Sequence, residues 1–168
     1  MSDIQNLSRR NFIKNVGLAS GGLILACNYT LFSKDIESGT ITEFNPNLFV
    51  QLNSDGSLII IASRSEMGNG VRTSLTSVVA DEMDADWAQI RAENSPADAS
   101  RYGNMAFGGM QGTGGSTSMA NSYLQMRQAG AAAKTMLIGA AAALWSVPAS
   151  EITVKAGIVS HPSGKTAK

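Results

Sequence analysis

The stretch "GTGGSTSMANSYLQMRQAGAAAKTMLIGAAAALW", residues 112–145, decides the fold of this chain. Glycines and then hydroxyl residues stand directly before a long alanine-rich segment. Glycine costs conformational entropy on folding, so its concentration here indicates that something approaches the backbone closely. The spacing of the larger residues predicts one long helix over residues 118–145. Residues 129–145 include few polar side chains, which predicts burial on most sides of that part. Arg127, Lys134 and the alanine content argue against a helix that spans a membrane.

Upstream, "LFVQLNSDGSLIIIAS" (48–63) predicts two strands joined by a turn at Asp55-Gly56, the second being an apolar run buried on both faces. Apolar residues then recur at helical spacing from Val71 to near Asp84, which predicts a shorter helix. The two strands are predicted over residues 48–52 and 58–62.

A short strand over 90–93, an irregular loop over 95–113 and a closing hairpin with its turn at Ala156-Gly157 complete the pattern. The resulting order is β-β-α-β-loop-α-β-β. It predicts an α+β domain with mixed or antiparallel strands and a long, buried, Ala-rich helix.

Composition places the chain among globular proteins of modest size. Its 168 residues carry 13 basic and 13 acidic side chains, and no basic run or aromatic platform indicates nucleic-acid binding. One cysteine, Cys27, excludes an internal disulfide framework, and one histidine, His161, excludes a metal site built from several histidines.

Two glycine-rich loops lead directly into the predicted helices. The first junction is "EMGNGVRT", residues 66–73, and the second junction is "GTGGSTS", residues 112–118. The start of a helix exposes unpaired N–H groups and a positive dipole end, and glycines there let an anionic group come close. Ser116, Thr117 and Ser118 add hydroxyls, one of which is a candidate N-cap. The alternative is that both loops are only turns and caps.

Neither junction matches a common nucleotide motif. Residues 109–116 have the spacing of a P-loop, but Gly115 stands where that motif requires lysine. The first junction has only two of the three glycines of the dinucleotide fingerprint. ATP and NAD are therefore not supported. A neutral cradle of amides and hydroxyls remains, which suits a large anionic cofactor with polar heterocycles.

The N-terminus is typical of an export signal. "SRRNFIK", residues 8–14, resembles the twin-arginine motif, and the apolar segment 16–26 behind it is too short to span a bilayer. Residues 1–27 are therefore predicted to address the folded chain to the twin-arginine export machinery and the periplasm. The alternative is an ordinary amphipathic N-terminal helix.

The end of this signal, "ILAC" at residues 24–27, resembles a lipobox. Cys27 is then a lipidation candidate that would anchor the mature chain to the membrane. The alternative is an incidental small apolar residue. Residues 28–45 are predicted to be a linker, and residues 46–168 a folded domain.

Longer motifs carry a family resemblance. "EMGNGVRTSLTSVVADEMDADWAQIRAENSPAD", residues 66–98, is followed in order by the second junction and by "MRQAGAAAKTMLIGAAAALW", residues 126–145. In this combination the chain resembles, from about Pro46 to its last residue, the molybdopterin-binding large subunit of the xanthine dehydrogenase and aldehyde oxidase family. Within that family it is most similar to the isoquinoline 1-oxidoreductase β-subunit type, which carries a twin-arginine signal.

The resemblance implies a molybdenum hydroxylase that oxidises N-heterocycles or aldehydes with water as the oxygen source. It implies molybdopterin cytosine dinucleotide as the cofactor and a separate small iron–sulfur subunit whose 2Fe–2S clusters take the electrons. The family's large subunit is several times longer than this chain, and its glutamate base lies near its C-terminus. The chain is therefore expected to be the N-terminal part of such a subunit, to need the remainder as a partner, and to be inactive alone, with no catalytic residue.

The same resemblance assigns cofactor contacts to the two junctions. In the family, a loop of the pattern E-M-G-Q-G contacts the pterin region, and a serine loop contacts the pyrophosphate or the pterin. Asn69 stands where the family commonly has glutamine, so the amide is kept but its reach is one methylene shorter. The candidate cofactor-binding residues are Gly68, Asn69, Gly70, Thr73, Gly114, Gly115, Ser116, Thr117 and Ser118.

Several other residues have structural interpretations. Glu66 is interpreted as a loop carboxylate or helix-start charge, His161 as a surface residue, and Trp87 as a core or subdomain contact. An acidic group is interpreted as a solvated helix end, not a metal site: Glu82, Asp84 and Asp86. Three methionines that flank glycines are expected to fill the core, with packing against a ligand as the alternative: Met67, Met105 and Met110.

A function of another class stays open. The alternative to an enzyme part is a non-catalytic exported lipoprotein or binding module that retains the fold. The alternative predicts that the 168 residues fold stably alone. An enzyme part, in contrast, would expose one apolar face of the long helix.

Overall fold

The computed structural model of the protein describes residues 43–168. The predicted export signal and the lipidation candidate Cys27 lie outside the described residues, as does most of the predicted linker. The last three residues of that linker belong to the first strand, which begins at Glu43.

Four strands form the first sheet: β1 (Glu43–Asn47), β2 (Val50–Asn53), β3 (Leu58–Ala62) and β4 (Ile90–Asn94), in the order β1-β2-β3-β4. β2 pairs antiparallel with β1 and with β3, whereas β3 and β4 are parallel. Parallel neighbours need a crossover connection, which helix α1 (Val71–Met83) supplies. The α+β class and the mixed sheet are therefore as predicted.

The strand predicted over 48–52 is wrong in its bounds, because the chain reverses inside it. The Asn47 side-chain oxygen accepts a hydrogen bond from the Phe49 N–H at 2.9 Å, an Asx turn that separates β1 from β2. β3 has its predicted bounds but is not equally buried on both faces. Its first, third and fifth residues are buried and the two between them are half-buried, because one face packs on the helices.

A short helix α2 (Ala99–Tyr102) lies inside the loop predicted to be irregular. The long helix α3 runs from Thr117 to Trp145, close to its predicted bounds. The burial predicted for residues 129–145 is largely confirmed, because only Ala131, Ala132, Thr135 and Ala143 are exposed there. The first part of the helix is less buried, since Tyr123 and Leu124 are largely exposed. The fully buried positions form one stripe, although alanine makes every side of the helix look apolar in sequence. The buried stripe has helical spacing and consists of Ser118, Ser122, Met126, Ala129, Gly130, Ala133, Ala140, Ala141 and Trp145.

Helix α3 joins two hydrophobic cores. Its first half packs with α1 on the first sheet. Its second half packs on a small antiparallel sheet of β5 (Thr153–Lys155), β6 (Ile158–Ser160) and β7 (Thr166–Ala167). The predicted closing hairpin, with its turn at Ala156-Gly157, is confirmed. Within residues 43–168, no helix combines the length and apolar character that a membrane span requires.

Helices α1 and α3 run parallel and very close together. Arg127 pairs with Glu82 and, further along both helices, Lys134 pairs with Asp84. A Cβ added at Gly130 would lie 2.9 Å from the Val79 carbonyl oxygen, so only glycine allows this approach. The two first turns therefore lie at the same end of the helix pair, and each follows a glycine-rich loop.

Candidate functional site

The two junctions are neighbours in space. The Thr113 hydroxyl, in the second junction, donates a hydrogen bond at 2.8 Å to the carbonyl of Ser65, which directly precedes the first junction. Because α1 and α3 are parallel, their positive dipole ends point the same way. The structure thus brings the predicted residues of both junctions to one edge of the molecule.

In the first junction, the amides are already occupied by a carboxylate. Glu66 Oε1 accepts hydrogen bonds from the N–H groups of Gly68 (2.7 Å) and Gly70 (2.9 Å), and Oε2 accepts one from Arg72 (3.1 Å). These bonds lower the pKa of Glu66 below its ordinary value of 4.5, and those from Arg72 and Gly70 lower it most. The interpretation of Glu66 as a helix-start charge is confirmed.

Glycine conformation makes this closure possible. Gly68 and Gly70 have φ values of 91° and 73°, in the left-handed region, which curls their N–H groups toward a single point. Asn69 lies between them, exposed at the tip of the loop, as Thr73 is exposed on the first turn of α1. The first junction therefore offers a neutral carboxamide to an incoming group, because its amides are taken.

The second junction is held by a buried side chain. Asn104 is fully buried and donates to the Thr117 hydroxyl at 2.9 Å and more weakly to the Gly112 carbonyl at 3.4 Å. The Thr117 hydroxyl in turn donates to the Gly114 carbonyl at 2.9 Å. Thr117 is thus consumed by the fold, and Ser118 is buried on the inner side of α3.

The group that approaches the glycines of the second junction is an aromatic ring of this chain. A Cβ added at Gly112 or Gly114 would meet the Phe107 ring at 3.1 or 3.4 Å. This contact explains part of the glycine run without any ligand, as the turn-and-cap alternative proposed. It does not explain Gly115, where the nearest atom to an added Cβ is 3.7 Å away and φ is +55°.

Gly115 and Ser116 are the open part of the second junction. Ser116 is the N-cap residue of α3, but its side chain makes no capping bond, and its φ of 55° is a strained, left-handed conformation. Within residues 43–168, the N–H groups of Gly115 and Ser116 and the Ser116 hydroxyl have no hydrogen-bond acceptor. These donors, at the start of a 29-residue helix, suit an anionic ligand.

The sequence patterns did not reveal Arg64, which is 1% exposed. Arg64 continues the alternation of the buried residues Leu58, Ile60 and Ala62 beyond the end of β3. This alternation could have predicted from the sequence that Arg64 is buried. Its guanidinium donates to the carbonyls of Tyr102 (2.7 Å) and Gly103 (3.2 Å). Burial lowers the pKa of Arg64. Arg64 therefore ties the end of β3 to the loop beneath the second junction.

Other predictions were wrong about burial. Trp87 is 53% exposed and does not lie in the core, while its alternative role as a subdomain contact stays a prediction. The three methionines beside the glycines are also exposed, so they do not fill the core: Met67 (67%), Met105 (75%) and Met110 (67%). Met67 and Met110 lie in loops and Met105 begins a single 3-10 turn, and none of the three belongs to either core. Among the described residues, no group of three or more His, Cys, Asp or Glu could hold a metal ion.

His161 is half-buried in the C-terminal sheet region, far along the chain from both junctions. Its ring nitrogens lie 2.8 Å from the Ser163 hydroxyl and 2.8 Å from a Glu151 carboxylate oxygen. The Ser163 N–H also donates to the ring. These bonds fix a turn between β6 and β7, which is a structural role.

Comparison with known proteins supports the resemblance drawn from the motifs. The profile of the molybdopterin cofactor-binding domain family matches residues 5–168. The chain is 34% identical over 160 residues to an isoquinoline 1-oxidoreductase subunit beta of Brevundimonas diminuta. It is 31% identical over 158 residues to a membrane-bound aldehyde dehydrogenase (pyrroloquinoline-quinone) of Gluconacetobacter polyoxogenes. Each match covers 92% of this chain and 20% of the relative, so the chain spans one fifth of their length.

Proposed function

Because this chain belongs to the molybdopterin cofactor-binding domain family of the xanthine dehydrogenase and aldehyde oxidase type, we propose that it forms part of the cofactor-binding surface of a molybdenum hydroxylase. The observation that carries the proposal is the open set of donors at Gly115 and Ser116. Backbone N–H groups at a helix start bind phosphate and pyrophosphate groups. The bound cofactor would supply the redox chemistry, and these residues would hold its anionic part.

The two junctions would divide the contacts by charge. The second junction fits the pyrophosphate of a dinucleotide form such as molybdopterin cytosine dinucleotide, because its Gly115 and Ser116 donors lack acceptors in the part of the chain that the structure describes. The first junction fits a neutral polar edge, because Glu66 closes its amides and Asn69 remains exposed. Of the residues carried over from the family, Thr117 and Ser118 would support the site from within, since both are engaged or buried.

The activity of the whole protein is part of the same proposal. The names of the two relatives support oxidation of N-heterocycles or aldehydes. The subunit character of the first relative supports a multi-subunit enzyme, in which the remainder of a large subunit supplies the catalytic base and a small iron–sulfur subunit takes the electrons. The twin-arginine pattern in residues 1–27 supports export to the periplasm, with or without a lipid on Cys27.

The test compares Ser116→Asp with Ser116→Asn in the chain as the cell makes it, purified with its natural subunits. Both residues tolerate the left-handed conformation and cap helices, so both should fold. Aspartate places a negative charge among the donors, whereas asparagine does not. We expect molybdenum and pterin in the wild type and in Ser116→Asn, and little of either in Ser116→Asp.

Two results would overturn the proposal. One is a folded wild-type protein that contains no pterin, or that contains pyrroloquinoline quinone instead. The other is a Ser116→Asp protein that retains its full complement of molybdenum and pterin, because the second junction would then not bind the anionic part of the cofactor.

A further inference from the structure

The first junction differs from an ordinary helix start in having an anion of its own. Three alternate amides, those of Gly68, Gly70 and Arg72, converge on the Glu66 carboxylate at 2.7–3.1 Å. A concave set of N–H groups of this kind is an anion-binding nest. Here the anion in the nest is the side chain of Glu66, which lies two to six residues before the amides that bind it.

We propose that Glu66 is the resident anion of the first junction, which excludes cofactor phosphates from this loop and positions Asn69. Glu66 is thus a positioning residue and not an acid or base. The inference rests on the proposed function only for the identity of the group that Asn69 meets. The hydrogen bonds that close the nest lie within this chain and do not depend on a bound cofactor.

The geometry explains how Glu66 would set the position of Asn69. Asn69 stands between two residues whose N–H groups both bind Glu66 Oε1. Its own side-chain oxygen makes only a long contact, 3.5 Å from the Val71 N–H. Within the described residues its NH₂ group has no acceptor, so the loop backbone, fixed by Glu66, is what determines where this donor lies.

The charge balance explains why phosphate would be excluded. A phosphate placed at the first junction would have to displace a carboxylate that already makes three charge-assisted hydrogen bonds. The neighbouring second junction requires no such exchange, because among residues 43–168 the donors of Gly115 and Ser116 have no acceptor. One edge of the molecule therefore has one anion site and one neutral contact, and this pair would orient an elongated cofactor.

The experiment measures hydrogen exchange of the amides of residues 68, 70 and 72 in the full chain, with Glu66→Ala, Glu66→Gln and the control Glu93→Gln. Glu93 is an exposed carboxylate on β4. We expect Glu66→Ala to raise these exchange rates by about threefold to tenfold, the effect of losing one such hydrogen bond at each amide. Glu93→Gln should leave them unchanged.

Adding formate to Glu66→Ala tests whether the three amides bind an anion or whether the substitution only loosens the loop. Formate should restore protection of these amides in Glu66→Ala but not in Glu66→Gln, whose side chain still fills the nest. Unchanged exchange in Glu66→Ala, or no rescue by formate, would overturn the inference. Pterin content measured on the same samples keeps the tests distinct, because a wild type without pterin counts against the proposed function and leaves the exchange result standing.

Discussion

The first and second junctions both place glycines before a helix, yet they are held by different means. Glu66 closes the first through bonds to residues at most six positions away. The second is held by contacts across the chain, from Asn104 to Thr117 and from Thr113 to Ser65. In the first junction the Glu66 carboxylate binds the loop amides itself. In the second junction Asn104 and Thr113 hold the loop, and among the described residues the Gly115 and Ser116 donors remain open. The comparison shows that glycine content alone does not define an anion site.

The largest expected effect breaks the framework of the second junction. A Cβ at Gly103 would lie 2.1 Å from the Gly109 carbonyl oxygen and 2.5 Å from that of Ala99. Both are backbone atoms, so Gly103→Ala should lower the free energy of unfolding by about 3 kcal/mol. Gly139→Ala is the matched control, because nothing lies within 4 Å of its added Cβ. In a helix this change should stabilise by about 0.5–1 kcal/mol, measured by urea unfolding.

A smaller loss should follow from Asn104→Ala. The substitution removes the donor to Thr117 and the acceptor that binds the Ala106 N–H, two partly buried bonds made by a fully buried side chain. We expect a loss of about 2 kcal/mol, with faster hydrogen exchange confined to the second junction. Asn94→Ala, at an exposed strand end, should change stability by less than about 0.5 kcal/mol. Equal exchange changes in both junctions would contradict the separation between them.

Acid should distinguish the junctions without mutation. The pKa of Glu66 is lowered in the fold, so its stabilising bonds are fully present above its ordinary value of 4.5 and are lost as the pH falls through the lower, folded value. The bonds that hold the second junction involve only amides and hydroxyls. Hydrogen exchange, corrected for its intrinsic pH dependence, should therefore rise in acid at residues 68, 70 and 72 first. The hydrogen bond from Ser100 also lowers the pKa of Asp98, so acid should affect the nearby α2 (Ala99–Tyr102) as well.

The smallest effect on stability is expected from Asn69→Gln. The side chain is exposed, so the free energy of unfolding should change by less than about 0.5 kcal/mol. The added methylene restores the reach of the family's usual glutamine, and cofactor retention should be equal or better. A clear loss of stability would show that Asn69 supports the loop and is not presented by it.

The elements that could be predicted from sequence are those with local causes. β3 and α1 have their predicted bounds because periodicity over a few residues determines them. Which positions of α3 are exposed could not be predicted, because alanine is compatible with both a buried and an exposed side. The Asn47 turn that splits the predicted first strand was missed, although its Asx chemistry is local.

For the candidate site, the same division holds. The glycines and hydroxyls of both junctions were identifiable from their order, and Glu66 from its place before a helix. Arg64 contacts Tyr102, 38 residues away, and the Phe107 ring packs on the glycine run through a fold of the irregular loop. Such partners depend on tertiary structure, so the sequence identified the two glycine-rich loops but not the residues that support them.

The exposed methionines around the junctions have a consequence for oxidative damage. Met67, Met105 and Met110 are more than half exposed, so their thioethers are open to oxidants. Conversion to the sulfoxide adds a polar group but opens no cavity, because none of the three supports a core. The protein would therefore tolerate sulfoxidation at its loop edge without unfolding, while the surface around the glycine loops changed from apolar to polar until a reductase reversed it.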